Sequence, residues 1–239
     1  MKRVDVFSCA GLGAEGYRNA GFQVVCVDKD RAALKHAAKA GFETIHADAL
    51  DVLADTTFLS GFQVVHVSPP CQGESPTRNL ADAQGRGQGR AVNLLQPVRD
   101  LLEAWGGPFV IENVERSKWM RAQPGVVRCC ASSFGLKAQR HRLFAPGGGV
   151  ELWGTQCDHD VFDRDPISGK PRPWGVYYSK GDNIPSGGRT VATLEHGHEV
   201  MGITSRSVPW KYLCEGLPPA MTEFIGRQLL SPSPTKEEK

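Results

Sequence analysis

The stretch VHVSPPCQGES, Val65 to Ser75, sets a cysteine directly after two prolines and before a glutamine, at the end of an apolar run. Proline fixes its own φ and drives the preceding residue toward extended geometry, so Ser68, Pro69 and Pro70 cannot continue a helix. Cys71 is thereby presented on a stiff turn, where a thiol could act as a nucleophile; the plainer fate of a free cysteine is that of a small buried hydrophobe. Two further segments carry chemistry: Glu112–Asn113 in PFVIENV, and Arg140 and Arg142 in QRHRLF. Taken singly, the first is a turn or cap pair and the second is surface charge. In DVFSCAGLGAEGYRNAGF, Gly11 and Gly13 let backbone approach a ligand at the start of a helix, whose free N–H groups point the same way. Asp28, ending VDKD, is placed to accept from a ribose diol, and Asp48 in HADAL to accept from an adenine amino group. Together these describe an adenosine-containing cofactor, and without a GxxxxGK[ST] loop a triphosphate is disfavoured.

The elements that must position these residues alternate along the first two-thirds of the chain. RVDVFS, FQVVCVD, ETIHA, GFQVVHV and PFVIENV read as strands; GAEGYRNAG, RAALKHAAKAG and AVNLLQPVRDLLEAW read as helices. Such alternation implies parallel crossovers and a doubly wound α/β sheet, in which ligands lie beyond the carboxyl ends of the strands. Asp28, Cys71 and Glu112 all fall at or past those ends, so one rim gathers them. After Phe144 the texture turns to Gly, Pro and Asp without helical period, and helical patterns return at TLEHGHEVMG and LPPAMTEFIGRQLL. The organisation expected is a catalytic domain over 1–144, a short irregular region over 145–192, returning helices over 193–230 and a polar tail over 231–239.

The totals narrow the class. At 239 residues with 40% apolar content the chain can build a proper core. No long apolar run or leader-like start is present, and seven scattered cysteines suit reduced thiols, so a soluble cytoplasmic protein without membrane contact is expected. A net charge of +2 neither demands nor forbids a nucleic-acid partner. Locally, the segment from Arg78 to Arg99 holds Arg78, Arg86, Arg90 and Arg99 against Asp82 alone, more simply a solvated face; the glycine- and arginine-rich loop after Cys71, 73–93, would serve equally as a cover over DNA or as a plain surface loop.

DVFSCAGLGAEG, VDKD, HADAL, SPPCQG, IENV and QRHRLF, in this order, resemble the cytosine-C5 DNA methyltransferases from Val4 to about Phe144, with a weaker return from Met201 onward. The resemblance implies a Rossmann-like, mostly parallel sheet with a short target-recognition region, S-adenosylmethionine as cofactor, and double-stranded DNA with a flipped cytosine as partner. It also implies a compact monomer of a bacterial or phage-infected cell, of the kind found in restriction-modification. It assigns Cys71 as the nucleophile adding to C6, Glu112 as the acid at N3, and Arg140 and Arg142 as electrostatic support. Phe7, Gly11, Gly13, Asp28, Asp48, Ala49 and Pro70 fall to the cofactor, and Gln72, Ser75, Asn113 and Arg140 to the substrate. A target atom inside a duplex requires base flipping.

The chain departs from the family at Cys9 and Leu12 where glycine is usual, at Glu74 where an aromatic is common, and at YLCEGLPP where Gln-x-Gly-Asn precedes the prolines. The recognition region is also short. Other readings remain open: the same chemistry on RNA cytosine, a donor carrying a group other than methyl, a non-catalytic DNA-binding relative, or a thiol enzyme in which His46 or His66 approaches Cys71. Cys157 and His159, with Cys129 and Cys130 upstream, could ligate zinc, but Cys-x-His is not a standard finger spacing and neighbouring cysteines on a strand face opposite ways, so no metal is expected. His196 and His198 read as helix-surface or DNA-proximal residues.

Overall fold

The computed structural model describes residues 1–70, 93–176, 189–190, 193–204 and 207–231. Strands β1 (Lys2–Val6), β2 (Gln23–Asp28), β3 (Glu43–His46), β4 (Val64–Val67), β5 (Phe109–Val114), β6 (Val127–Cys130) and β7 (His141–Gly147) form one sheet in the order β3-β2-β1-β4-β5-β7-β6. The first five run parallel, while β7 is antiparallel to both β5 and β6. Strand order reverses between β1 and β4, which opens the crevice where doubly wound sheets take ligands.

Alternation along the strands sorts the core into two layers. Val4, Val6, Val25, Val27, Val65 and Val67 face one way, packed with Leu53 of helix Ala49–Ala54 and with Val98 and Leu102 of helix Leu95–Trp105. Cys26, Val64 and Val110 face the other way, packed with Leu12 and Tyr17 of helix Leu12–Asn19 and with Met221 and Ile225 of helix Pro219–Leu230. This second face also buries polar groups, because Asp5 is in register with Cys26 on one side and His66 on the other, and His66 with Val110. Two residues further along each strand the same face carries Asp28, Ser68 and Glu112, so the register itself lines up the rim. Gly16 lets the two helices of that layer touch, since a Cβ there would collide with the Pro219 carbonyl and the Thr222 hydroxyl.

The short helices Ala49–Ala54, Thr56–Leu59 and Lys118–Arg121 have too few turns for a 3.6-residue period to show; side chains of Asp48, Asp55 and Ser117 cap their first turns. Strand β7 runs on to Gly147, past the change of texture at Phe144. Beyond it the described strands are two residues long, pairing Asp163–Arg164 with Pro171–Arg172 and Trp174–Gly175 with Arg189–Thr190. No helix among the described residues is long and apolar enough to cross a membrane.

Candidate active site

The turn between β1 and the first helix is wound tightly. Phe7, Cys9 and Gly11 have φ of 60°, 50° and 77°, two of them non-glycine residues in left-handed geometry. Such conformations cost an L-residue about 1–2 kcal/mol, so neighbouring contacts must hold them. Asp28 supplies one: its Oδ2 accepts from Cys9 N at 2.7 Å and its Oδ1 from Asp30 N at 2.8 Å, which ties the first turn to the one after β2. The Ser8 N–H donates to the Val27 carbonyl at 3.1 Å. An open cleft lies against this turn, lined by Phe7, Cys9, Leu12, Gly13, Ser68, Glu112 and Glu215. Gly11 instead faces Ala37 and Phe42. The Cys9 thiol donates to Glu215 Oε2 at 3.3 Å; burial, followed by the Glu215 charge, pushes this thiol far up and keeps it protonated.

Glu112 is 6% exposed, at the rim end of β5. Burial raises its pKa, against the opposing pull of Arg142, a hydrogen bond from Ser68 and the charge of Arg140. Arg142 Nε lies 3.0 Å from Glu112 Oε1. Behind Ser68 a buried chain continues: Ser68 Oγ is 2.8 Å from His66 Nε2, and His66 Nδ1 is 3.0 Å from Tyr17 Oη. Burial, then the Arg3 charge, drives His66 well below its ordinary range, so the imidazole is neutral. Asp5, 3.9 Å from His66 Nε2, is pushed up to about 7 by burial, with Arg3 opposing and Asp28 and Glu112 adding to the rise.

Asn113 and Arg140 bind protein backbone. The Asn113 amide donates to the Pro69 carbonyl at 2.9 Å, anchoring the two prolines that lead into Cys71. Arg140 donates to the carbonyls of Cys214 and Gly216 at 2.6 and 2.7 Å, clamping the YLCEGLPP segment against the start of β7. Asp48 Oδ1 accepts from Leu50 N at 2.9 Å as a helix cap, and the Ala49 side chain packs in the core. Pro70 is exposed where the described chain pauses. Cys71, Gln72, Ser75 and the arginine-bearing loop lie outside the described residues. Of the histidines weighed as a thiol's partner, His66 has both ring nitrogens engaged, and exposed His46 packs on the Lys29 carbonyl at 3.0 Å. His196 meets the Trp174 ring edge-on, and His198 Nε2 accepts from Val208 N at 3.0 Å.

One grouping differs from the cysteine and histidine set weighed in the sequence, because His141 stands where Cys129 was considered. Cys130, His141, Cys157 and His159 converge beyond the end of β6, and His141, the middle residue of the Arg-x-Arg element, carried no signal of its own. Burial opposes ionisation of Cys130, but hydrogen bonds from His141 and Ser132 outweigh it and bring the thiol to about 6. Cys129 points into the apolar core instead.

No family model and no curated protein matches the chain. Solved structures do. A protein encoded within an E. coli prophage and described as a DNA modification methyltransferase aligns over 96% of this chain and 98% of its own, with TM-score 0.60 at 16% identity. Spodoptera frugiperda DNMT2, in an E260A/E261A/K263A variant, covers 96% and 99% with TM-score 0.63 at 13% identity. The Entamoeba histolytica methyltransferase EhMeth covers 96% and 97% with TM-score 0.60 at 14% identity. The chain has the mostly parallel α/β fold of these methyltransferases over nearly its whole length.

Proposed function

We propose that this chain transfers a methyl group from S-adenosylmethionine to C5 of cytosine in DNA, through a covalent adduct between Cys71 and C6 of a flipped base. The observation that carries the reading is the buried Glu112, paired with Arg142 and hydrogen-bonded by Ser68, beside the Asn113 amide that holds the prolines leading into Cys71. The Pro-Cys-Gln and Glu-Asn-Val elements supply the rest from sequence.

The cleft at the first turn suits the cofactor: Phe7, Cys9 and Gly13 of a partly left-handed loop line it, and the Asp28 carboxylate holds that loop through the Cys9 N–H. When bound, S-adenosylmethionine supplies an electrophilic methyl group. Cytosine C5 is a poor nucleophile until C6 gains an electron pair, and the Cys71 thiolate donates that pair while Glu112 protonates N3. C5 takes the methyl group, a base removes the C5 proton, and the returning electrons expel the Cys71 thiolate as N3 gives its proton back to Glu112. Arg142 holds the Glu112 carboxyl in place, and its charge stabilises the thiolate and the base carbonyl. Cys9 and Glu215 border the cleft where the transferred group would lie, which makes the mass of the product informative.

The test is expression in a host lacking cytosine modification, with mass spectrometry of the digested DNA beside a Cys71→Ala control. A modified cytosine lost in the control supports the reading, and its mass identifies the group. Unmodified DNA in both, with modified cytosine in RNA, would move the acceptor to RNA; no product in either would favour a binding protein.

A further inference from the structure

We propose that Cys130, His141, Cys157 and His159 form a Cys2His2 zinc site that fastens the irregular region after β7 to the edge of the sheet. One sulfur or nitrogen atom from each of the four lies within 4.8 Å of the others. Zinc bonds of roughly 2.3 Å to sulfur and 2.0–2.1 Å to nitrogen place tetrahedral ligand atoms about 3.3–3.8 Å apart. The separation of Cys157 Sγ from His141 Nε2, 3.3 Å, already has that size.

The groups around the cluster are those a zinc site needs. His141 Nδ1 lies 2.8 Å from Glu115 Oε2, so Nδ1–H donates a hydrogen bond to the carboxylate and the Nε2 lone pair is left to face the cluster. A carboxylate behind a ligating imidazole is the usual support in zinc sites, setting its tautomer and basicity. Glu115 is itself paired with Arg128 at 3.2 Å, and the same guanidinium is 3.6 Å from Cys157 Sγ. Two thiolates and two neutral imidazoles would cancel the charge of one Zn²⁺, leaving the Glu115–Arg128 pair balanced.

The elements show why a staple belongs there. Cys130 ends β6 and His141 begins β7, whereas Cys157 and His159 come from the region whose described strands are two residues long. Among its described residues that region buries few large apolar side chains, Phe162 and Val176 among them, which gives it little packing of its own. Polar contacts tie it to β6 and to the 3-10 turn Ala131–Phe134 after it: Thr155 N donates to the Arg128 carbonyl at 3.0 Å, and Asp158 N to Ser132 Oγ at 3.1 Å. A metal joining all four ligands would convert these into one fixed attachment, next to Arg142 on β7 and Arg140 just before it.

Full-length protein, purified with a reductant and without chelator, should carry one zinc per chain by elemental mass spectrometry. The Cys157→Ser/His159→Ala double variant should lose it, while Cys129→Ala, which changes the neighbouring core thiol, keeps it. Glu115→Gln should weaken zinc affinity about 10- to 100-fold. Cobalt(II) replacing zinc should give the absorption of a tetrahedral ion with thiolate charge transfer, a readout on the unaltered chain. Metal-free protein that takes up no zinc on reconstitution overturns the proposal, as does zinc retained by the double variant. So does a metal-free chain with two thiols consumed in a Cys130–Cys157 disulfide.

Discussion

Arg142 Nε and Glu112 Oε1 are 3.0 Å apart across the antiparallel pairing of β7 with β5, with both side chains largely shielded from solvent. The pair resolves a conflict at the rim. Burial favours the neutral acid, the nearby cations favour the carboxylate, and the net shift is upward. An upward shift is the direction that a carboxyl acting as a proton donor needs.

Glu112→Gln keeps the shape of the side chain and removes its proton. Methyl transfer to DNA should fall about 10²- to 10⁴-fold in single-turnover assays, while the melting temperature stays within a few degrees of wild type. Activity close to wild type would remove Glu112 from the chemistry.

Ser68→Ala tests the support behind that acid. The Ser68 hydrogen bond lowers the Glu112 pKa, so its loss lets the pKa climb further. If protonated Glu112 is the working form, the alkaline limb of the rate profile should move to higher pH in the variant. An unmoved limb would mean that another group sets it.

Asp5 should leave a signature in stability against pH. Its folded-state pKa is about 7 against an ordinary value of 3.8, so between these the folded chain binds up to one more proton than the unfolded chain. The stabilisation from this group is complete below pH 4, declines toward pH 7 and is flat above it, with a limiting slope of about 1.4 kcal/mol per pH unit. Denaturant titrations of wild type and Asp5→Asn across this window should differ by that downward slope. Parallel curves would show that burial does not hold Asp5 protonated.

Gly16→Ala probes the contact between helices Leu12–Asn19 and Pro219–Leu230. The new methyl group meets backbone at Pro219, which cannot step aside as a flexible side chain could. A loss of about 1–3 kcal/mol is expected from overpacking, or roughly 2–4 °C in melting temperature per kcal/mol for a chain of this size. A variant as stable as wild type would mean that the helices separate freely.

By itself the sequence determined the alternation of strands and helices through β5, because parallel strands buried on both faces are continuous runs such as FQVVCVD and helices between them show their own period. It also marked the rim at Asp28 and Glu112, which follow apolar runs whose ends are plain to read. Tertiary structure alone decided which groups those residues meet. Asn113 on Pro69, Arg140 on Cys214 and Gly216, and Cys9 on Glu215 join segments far apart in the chain, and nothing local in QRHR or YLCEG encodes that meeting. The direction of β7 was equally hidden: a strand written HRLFAPG has the same composition whether parallel or antiparallel, and only its fit between β5 and β6 selects one. That reversal carries His141 to the end of β6, beside Cys130, and so assembles a four-residue cluster from spacings that match no linear pattern.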